Sequence, residues 1–361
     1  MACSAKLEPA GVNADCFTPE FKRLKGRKPS PNFDSVIDLH CATDTAILNQ
    51  HFQESTVHLL NKTDLNDISI CGLKQVKDWR VFEFPKFPGF FVILNPFIDG
   101  YQRYWVSRCL RDFPLDKSNV TNMTGQSDLD QHDVWQRYLE KNTFEKGDPL
   151  KRLRWTTLGY HYDWNLKEYS EKNKAEFPTD VHLLSQYLSK ALGFGDYCAE
   201  AAIVNFYHLD STLAGHTDHS EKDFRAPLFS ISFGQTAIFL LGGQTKSIEP
   251  LALYLRSGDI CVMSGPSRLA FHAIPRILQP WSAEEAQKLK DAFDYKRRPS
   301  TVSPEQLCRM QAVSSSTETR ENDSTSLHKS VVEETNYQIE KTLECLDFTP
   351  FDLTFQHQES I

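Results

Sequence analysis

The chain has 361 residues, 40% of them hydrophobic and 24% charged. That is enough apolar material for one large or two small domains, and it excludes a wholly disordered polypeptide. A net charge of -8 excludes a surface coated in basic residues but leaves room for a local basic patch. The longest apolar runs, 89–94 and 237–243, fall far short of the roughly 20 residues that a bilayer-spanning helix needs. No hydrophobic leader stands at the N terminus, so the expectation is a protein that neither enters a membrane nor is secreted. Nine cysteines, an odd number and never spaced Cys-x-x-Cys, fit reduced thiols in an intracellular compartment.

Taken in chain order, residues 1–34 are short of aliphatics and hold Lys22, Arg23, Lys25, Arg27 and Lys28 within seven positions. They read as a basic flexible arm, whether a solvated tail, a nucleic-acid contact or a nuclear-import signal. Mitochondrial import by an unusual route stays open, although Glu8 and Asp15 do not suit a transit peptide. Residues 35–95 form an N-terminal extension. Asn95-Pro96 offers a helix cap with proline behind it, and Ile98, Tyr101, Trp105, Cys109 and Phe113 keep one face apolar. A second helix is expected over 181–192, with Leu184, Tyr187, Leu188 and Ala191 as its stripe and Gly193 at its end.

Beyond Gly193 the period changes. Short β-branched and aromatic runs follow at 201–209, 228–233, 236–241, 251–256, 259–263 and 269–274, separated by Gly242-Gly243, Ser257-Gly258 and Ser264-Gly265-Pro266. Antiparallel strands without intervening helices imply a sandwich, a barrel or a double-sheet jelly roll, in an α+β chain whose core is mainly β. That core is expected over 96–280, followed by a divergent polar tail over 281–361. Residues 311–329 are Ser/Thr-rich with little to bury, and 331–346 make at best a short helix without evident chemistry.

His-x-Asp on a strand sends an imidazole and a carboxylate to one face. A histidine from a distant strand then completes a 2-His-1-carboxylate set, which leaves coordination positions open for ferrous oxygenase chemistry. The spacing occurs three times, at His161/Asp163, His208/Asp210 and His216/Asp218, where composition alone gives about one match. His208 ends an apolar run before a turn, and His161 lies among aromatics suited to a flat ligand. His216 precedes a hydrophobic β region ending at Phe271-His272, long enough for several strands to bring the two histidines together, so His216, Asp218 and His272 are one candidate metal set, which spacing alone does not single out.

The run from Asn205-Phe206-Tyr207-His208 through Gly215-His216-Thr217-Asp218 resembles the core signature of AlkB-type Fe(II)/2-oxoglutarate dioxygenases. So do Ser257-Gly258-Asp259-Ile260 and Ser264-Gly265-Pro266-Ser267-Arg268-Leu269-Ala270-Phe271-His272. The stretch from Leu153-Arg154-Trp155 to Trp164, with 228–243, is similar to the animal AlkB homologue one branch. The resemblance covers 90–276 and implies a double-stranded β-helix, or jelly roll, with helices packed outside. It places iron on His216, Asp218 and His272, and 2-oxoglutarate on Asn205 and Tyr207, with O2 as co-substrate. It also implies oxidative demethylation of N-methylated adenine in tRNA or DNA, and the chain is expected to act as a monomer in the nucleus or mitochondrion, with the cytoplasm as the alternative. A base must be flipped out of its stack to reach such a centre. Trp155, Tyr160 and Tyr162, in a lid near 151–165, are the residues expected to hold it, with Lys151, Arg152 and Arg154 available for phosphates.

The family follows its distal histidine with a strand Arg-x-Asn-x-Thr-x-Arg, whose first arginine pairs with the distal carboxylate of 2-oxoglutarate. That string is absent here; Arg297, Arg298, Arg309 and Arg320 follow His272 without it. Two rival readings therefore stand beside the demethylase: an AlkB-like nucleic-acid binder with impaired catalysis, and a dioxygenase of the same fold acting on protein side chains.

Overall fold

The computed structural model describes residues 14–41, 53–54, 71–125, 149–280, 287 and 351–356. Its strands are β1 (Gln53–Glu54), β2 (Arg80–Glu83), β3 (Phe90–Leu94), β4 (Val120–Thr121), β5 (Trp155–Gly159), β6 (Ala201–Phe206), β7 (Leu213–His216), β8 (Leu228–Phe233), β9 (Ala237–Leu241), β10 (Leu251–Leu255), β11 (Ile260–Met263), β12 (His272–Ile277) and β13 (Phe351–Gln356). They form a nine-stranded sheet in the order β1-β2-β3-β11-β8-β13-β6-β5-β4 and a four-stranded sheet in the order β10-β9-β12-β7. The pairings within the two sheets are antiparallel. The helices are α1 (Phe17–Lys25), α2 (Gln102–Ser107, continued by a π-turn over Arg108–Asp112), α3 (Pro149–Arg152) and α4 (Thr179–Ala191).

Strand residues alternate between layers, which explains why several strands read as unbroken apolar runs. In β9, Phe239 and Leu241 pack between the two sheets, while Ile238 and Leu240 face the opposite way, toward α1. In β11, Cys261 and Met263 join the layer between the sheets, and Ile260 and Val262 join the layer under α2 and α4. Leu184, Leu188 and Ala191 of α4 and Trp105 and Cys109 from the α2 region fill that outer layer.

Four differences from the sequence expectations have local causes. Residues 14–34 are not a free arm: Phe17 and Leu24 are buried, at 1% and 0% exposure, with Phe21 packed beside them. Their spacing makes a helical stripe, and the basic residues line the rest of α1. The helix anticipated after Asn95-Pro96 begins only at Gln102. Asn95 has a positive φ of 28°, and its side-chain oxygen accepts from Phe97 N and Gln102 Nε2, so 95–101 close a turn instead. The N-terminal extension also contributes β2 and β3 to the larger sheet, so the boundary at 96 cuts through a packed layer. Finally, the C-terminal stretch is not polar throughout: β13 lies between β6 and β8. The suggested helix over 331–346 lies outside the described residues.

The segment after α1 is tied down by Asp38, which accepts two hydrogen bonds from Arg256 at 2.5 and 2.7 Å. Burial opposes ionisation of Asp38, but Arg256 outweighs it and holds the carboxyl down at about 2. Asp38→Asn is expected to lower stability by about 1–3 kcal/mol in urea unfolding at neutral pH. Because the folded pKa is depressed, the contribution is full above the ordinary value near ~3.9 and is lost as pH falls toward about 2. The gap between variant and wild type should close over that window.

Candidate metal centre

The smaller sheet brings two of the three candidate ligands together by register. His272 opens β12 and His216 closes β7, and the two are direct cross-strand partners. Their ring centroids lie 4.2 Å apart. Asp218, two residues beyond His216, places Oδ1 3.7 Å from His216 Nε2 and Oδ2 3.6 Å from His272 Nε2. The candidate ligand atoms of the three residues all lie within 4.8 Å of one another, the one such group among the described residues.

Second contacts orient both imidazoles. His216 Nδ1 lies 2.9 Å from the Ala214 carbonyl, and His272 Nδ1 lies 3.2 Å from the Ala270 carbonyl. A carbonyl accepts only, so each Nδ1 carries the proton and each Nε2 presents its lone pair toward Asp218. Burial, followed by the neighbouring His216, holds the His272 imidazole down at about 4, so it stays neutral at physiological pH. Two imidazole nitrogens and one carboxylate form a donor set that suits ferrous iron.

Backing the site requires a close approach. A Cβ on Gly215 would stand 2.5 Å from the Phe17 ring, and one on Gly242 2.7 Å from it. These two glycines let α1 lie directly against the metal-side strands. Arg276 of β12 donates to the carbonyls of Leu24, Lys25 and Gly26, fixing the end of that helix.

The other two His-x-Asp pairs have different partners. His161, read from sequence as a contact for a flat ligand, is 4% exposed. Its Nδ1 meets Thr157 Oγ1 at 2.8 Å and its Nε2 meets the Ser118 carbonyl at 3.0 Å. Asp163 Oδ1 accepts from the backbone N–H of Asn165 and Leu166 and shapes a turn. His208 Nε2 meets the Lys151 carbonyl at 3.1 Å.

Asn205 lies on β6 and Tyr207 just past its end, with Tyr207 in the layer between the sheets. Asn205 is paired in register with Trp155 on β5. From there an aromatic cluster runs outward. Trp155 and Trp164 have centroids 5.3 Å apart, Tyr162 and Trp164 4.7 Å, and Tyr162 and Tyr169 5.1 Å. Tyr162 Oη lies 3.2 Å from Ser220 Oγ, two residues beyond Asp218, so the cluster adjoins the metal segment. Trp164, already within the aromatic stretch noted in the sequence, is 50% exposed, and Tyr169 is the one member of this group that the sequence did not single out.

Tyr160 stands apart from this cluster. It is 3% exposed, its hydroxyl donates to Glu171 and accepts from Lys174, and the Lys174 ammonium lies 4.1 Å from its ring centroid.

The expected arginine strand has a counterpart in position but not in composition. β13 occupies the sheet beside Asn205, with Asp352 opposite Asn205 and Ser232. Set against Arg-x-Asn-x-Thr-x-Arg, residues 350–356 read Pro350-x-Asp352-x-Thr354-x-Gln356, with neither arginine present. Arg297, Arg298, Arg309 and Arg320 lie outside the described residues.

Comparison with known proteins agrees with the fold and the donor set. Residues 102–329 match the model of the 2OG-Fe(II) oxygenase superfamily. The chain belongs to that superfamily, and within it to the AlkB-type dioxygenases, which use Fe(II), 2-oxoglutarate and O2. It is 39% identical over 274 residues to the human "Nucleic acid dioxygenase ALKBH1", covering 73% of this chain and 70% of the relative. It is 35% identical over 237 residues to the Schizosaccharomyces pombe "tRNA demethylase abh1", covering 61% and 78%. To the Arabidopsis thaliana "DNA N(6)-methyladenine demethylase ALKBH1A" it is 33% identical over 291 residues, covering 72% and 79%.

Proposed function

We propose that this chain is an Fe(II)/2-oxoglutarate-dependent dioxygenase that demethylates N-methylated adenine in nucleic acid, tRNA or DNA, with iron held by His216, Asp218 and His272. The observation that carries the reading is the convergence of two Nε2 lone pairs and one carboxylate beside an aromatic cluster that opens to solvent at Trp164. The names of the three relatives, a nucleic acid dioxygenase, a tRNA demethylase and a DNA N(6)-methyladenine demethylase, support the substrate class. In this reading the two sheets are the halves of a double-stranded β-helix, and β2, β3 and β13 belong to the catalytic unit. The protein works as a monomer. No described helix is long and apolar enough to cross a membrane. The five basic residues from Lys22 to Lys28 favour a compartment rich in nucleic acid, nucleus or mitochondrion.

His216, Asp218 and His272 would hold Fe(II), which with 2-oxoglutarate and O2 would supply the oxidant for the N-methyl carbon, 2-oxoglutarate going to succinate and CO2 and the methyl group to formaldehyde. The protein's part is geometry. His216 and His272 present fixed Nε2 atoms, Asp218 supplies charge opposite them, and Asn205 and Tyr207 offer polar groups to the co-substrate. Trp155, Tyr162 and Trp164 supply ring faces for an everted base. Stacking is worth about 1–3 kcal/mol per base, so Trp155→Ala or Trp164→Ala should weaken binding of a methyladenine oligonucleotide about tenfold. Tyr160→Ala should leave that affinity within about twofold and lower stability instead. Fluorescence anisotropy with labelled oligonucleotides checks both expectations.

The substrate class is tested by supplying methyladenine RNA, methyladenine DNA and a methyl-lysine peptide separately and measuring succinate formed. Acceleration by either nucleic acid but not the peptide is expected. Acceleration by the peptide alone would replace this reading with a protein-directed dioxygenase.

A further inference from the structure

We infer that Arg268 is the positioning residue for Asp218, holding the metal-side carboxylate in place from behind. The inference rests on the metal assignment proposed above. His216 and His272 are fixed by the β7–β12 ladder, but that ladder ends at His216. Residues 217–227 belong to neither strand nor helix, so Asp218 lies where sheet hydrogen bonding no longer sets the backbone.

Arg268 takes over there. Its Nη1 donates to the Asp218 carbonyl at 2.9 Å, its Nε donates to the Ala226 carbonyl at 3.2 Å, and its Nη2 lies 3.2 Å from Glu221 Oε2. One planar guanidinium thus grips the irregular segment at three points, beginning at the carboxylate ligand. The side chains of Arg268 and Glu221 are each 2% exposed. A buried charge is retained only when paired, and a rigid fork can satisfy several acceptors where an ammonium offers a point charge. The segment also carries Ser220, which meets Tyr162 of the aromatic cluster. Arg268 therefore fixes a stretch of backbone that joins the metal side of the site to the base-holding side.

Co(II) is the probe, because its visible absorption bands report ligand geometry directly. Arg268→Lys keeps a positive charge opposite Glu221 while removing the fork. It is expected to fold with wild-type circular dichroism, to bind Co(II) about tenfold or more weakly, and to show shifted Co(II) bands. Methylguanidinium added to Arg268→Ala is expected to restore part of both signals, which a general loss of packing would not allow. Wild-type Co(II) affinity with an unchanged spectrum in folded Arg268→Lys overturns the inference. If Arg268→Lys does not fold, Glu221→Gln, which removes the charged grip but keeps its size, is read by the same two criteria. Asp218→Ala run in parallel separates the two claims: retention of Co(II) there removes the metal assignment itself, whereas its loss there with unaltered arginine variants removes only the role of Arg268.

Discussion

Asp218→Ala is expected to abolish metal-dependent stabilisation, whereas Asp163→Ala and Asp210→Ala leave it intact. Mn(II) serves as a redox-inert substitute for iron. At a concentration a hundredfold above its dissociation constant, a ligand that binds only the folded state adds about 2.7 kcal/mol. For a chain of 361 residues that corresponds to a rise in Tm of roughly 3–4 °C. Asp218 is the only carboxylate near both Nε2 atoms among the described residues, so its loss leaves two close imidazoles without a countercharge. The two controls follow from their own geometry: Asp163 caps a turn, and Asp210 follows His208, whose Nε2 meets a backbone carbonyl. Loss of the Mn(II) effect in Asp210→Ala, with retention in Asp218→Ala, would contradict the assignment.

The second large effect concerns 2-oxoglutarate. Where the family places an arginine for the distal carboxylate, this chain has Pro350 and, at the second arginine position, Gln356. A charge-assisted pair contributes about 1.5–3 kcal/mol, so its absence corresponds to about ten- to hundredfold weaker co-substrate binding. Metal binding is expected to be unaffected, since His216, Asp218 and His272 all precede β13 in the chain. Replacing 350–356 with an Arg-x-Asn-x-Thr-x-Arg strand should recover the lost affinity. Anaerobic titration of Fe(II)-loaded protein, followed by its charge-transfer absorbance, measures both chains. Micromolar binding by the unaltered protein would mean that another arginine takes this part, and alanine variants of Arg297, Arg298, Arg309 and Arg320 would show which.

The β core was legible wherever both faces of a strand are buried, because β9 and β11 then read as continuous apolar runs. The helix α4 was legible from its stripe and from Gly193, whose φ of 79° closes it. The choice of His216 over His208 was not decidable from spacing. It depends on the register that sets His216 opposite His272, a long-range pairing with no local signature. α1 was hidden by its basic residues, although Phe17, Phe21 and Leu24 carry a helical spacing. β13 showed a signal of period two, with Phe351, Leu353 and Phe355 alternating with Asp352, Thr354 and Gln356. Its place between β6 and β8 is set by pairing with strands far earlier in the sequence, a long-range match with no local signature. Tyr160 was misplaced because an aromatic run does not reveal which of its members turn inward. Arg268 stands in a stretch that carries the family resemblance, but its role gave no local signal, because its acceptors lie on a segment about 50 residues upstream.

The central claim is that the His216, Asp218 and His272 centre removes a methyl group from adenine in nucleic acid. A single-turnover reaction tests it most directly, with Fe(II), saturating 2-oxoglutarate, O2 and a methyladenine oligonucleotide, and with formaldehyde and succinate quantified together. Equal amounts of both products from the wild-type protein, and neither from Asp218→Ala, are the predicted result. Succinate without formaldehyde, or formaldehyde that persists in Asp218→Ala, would contradict it.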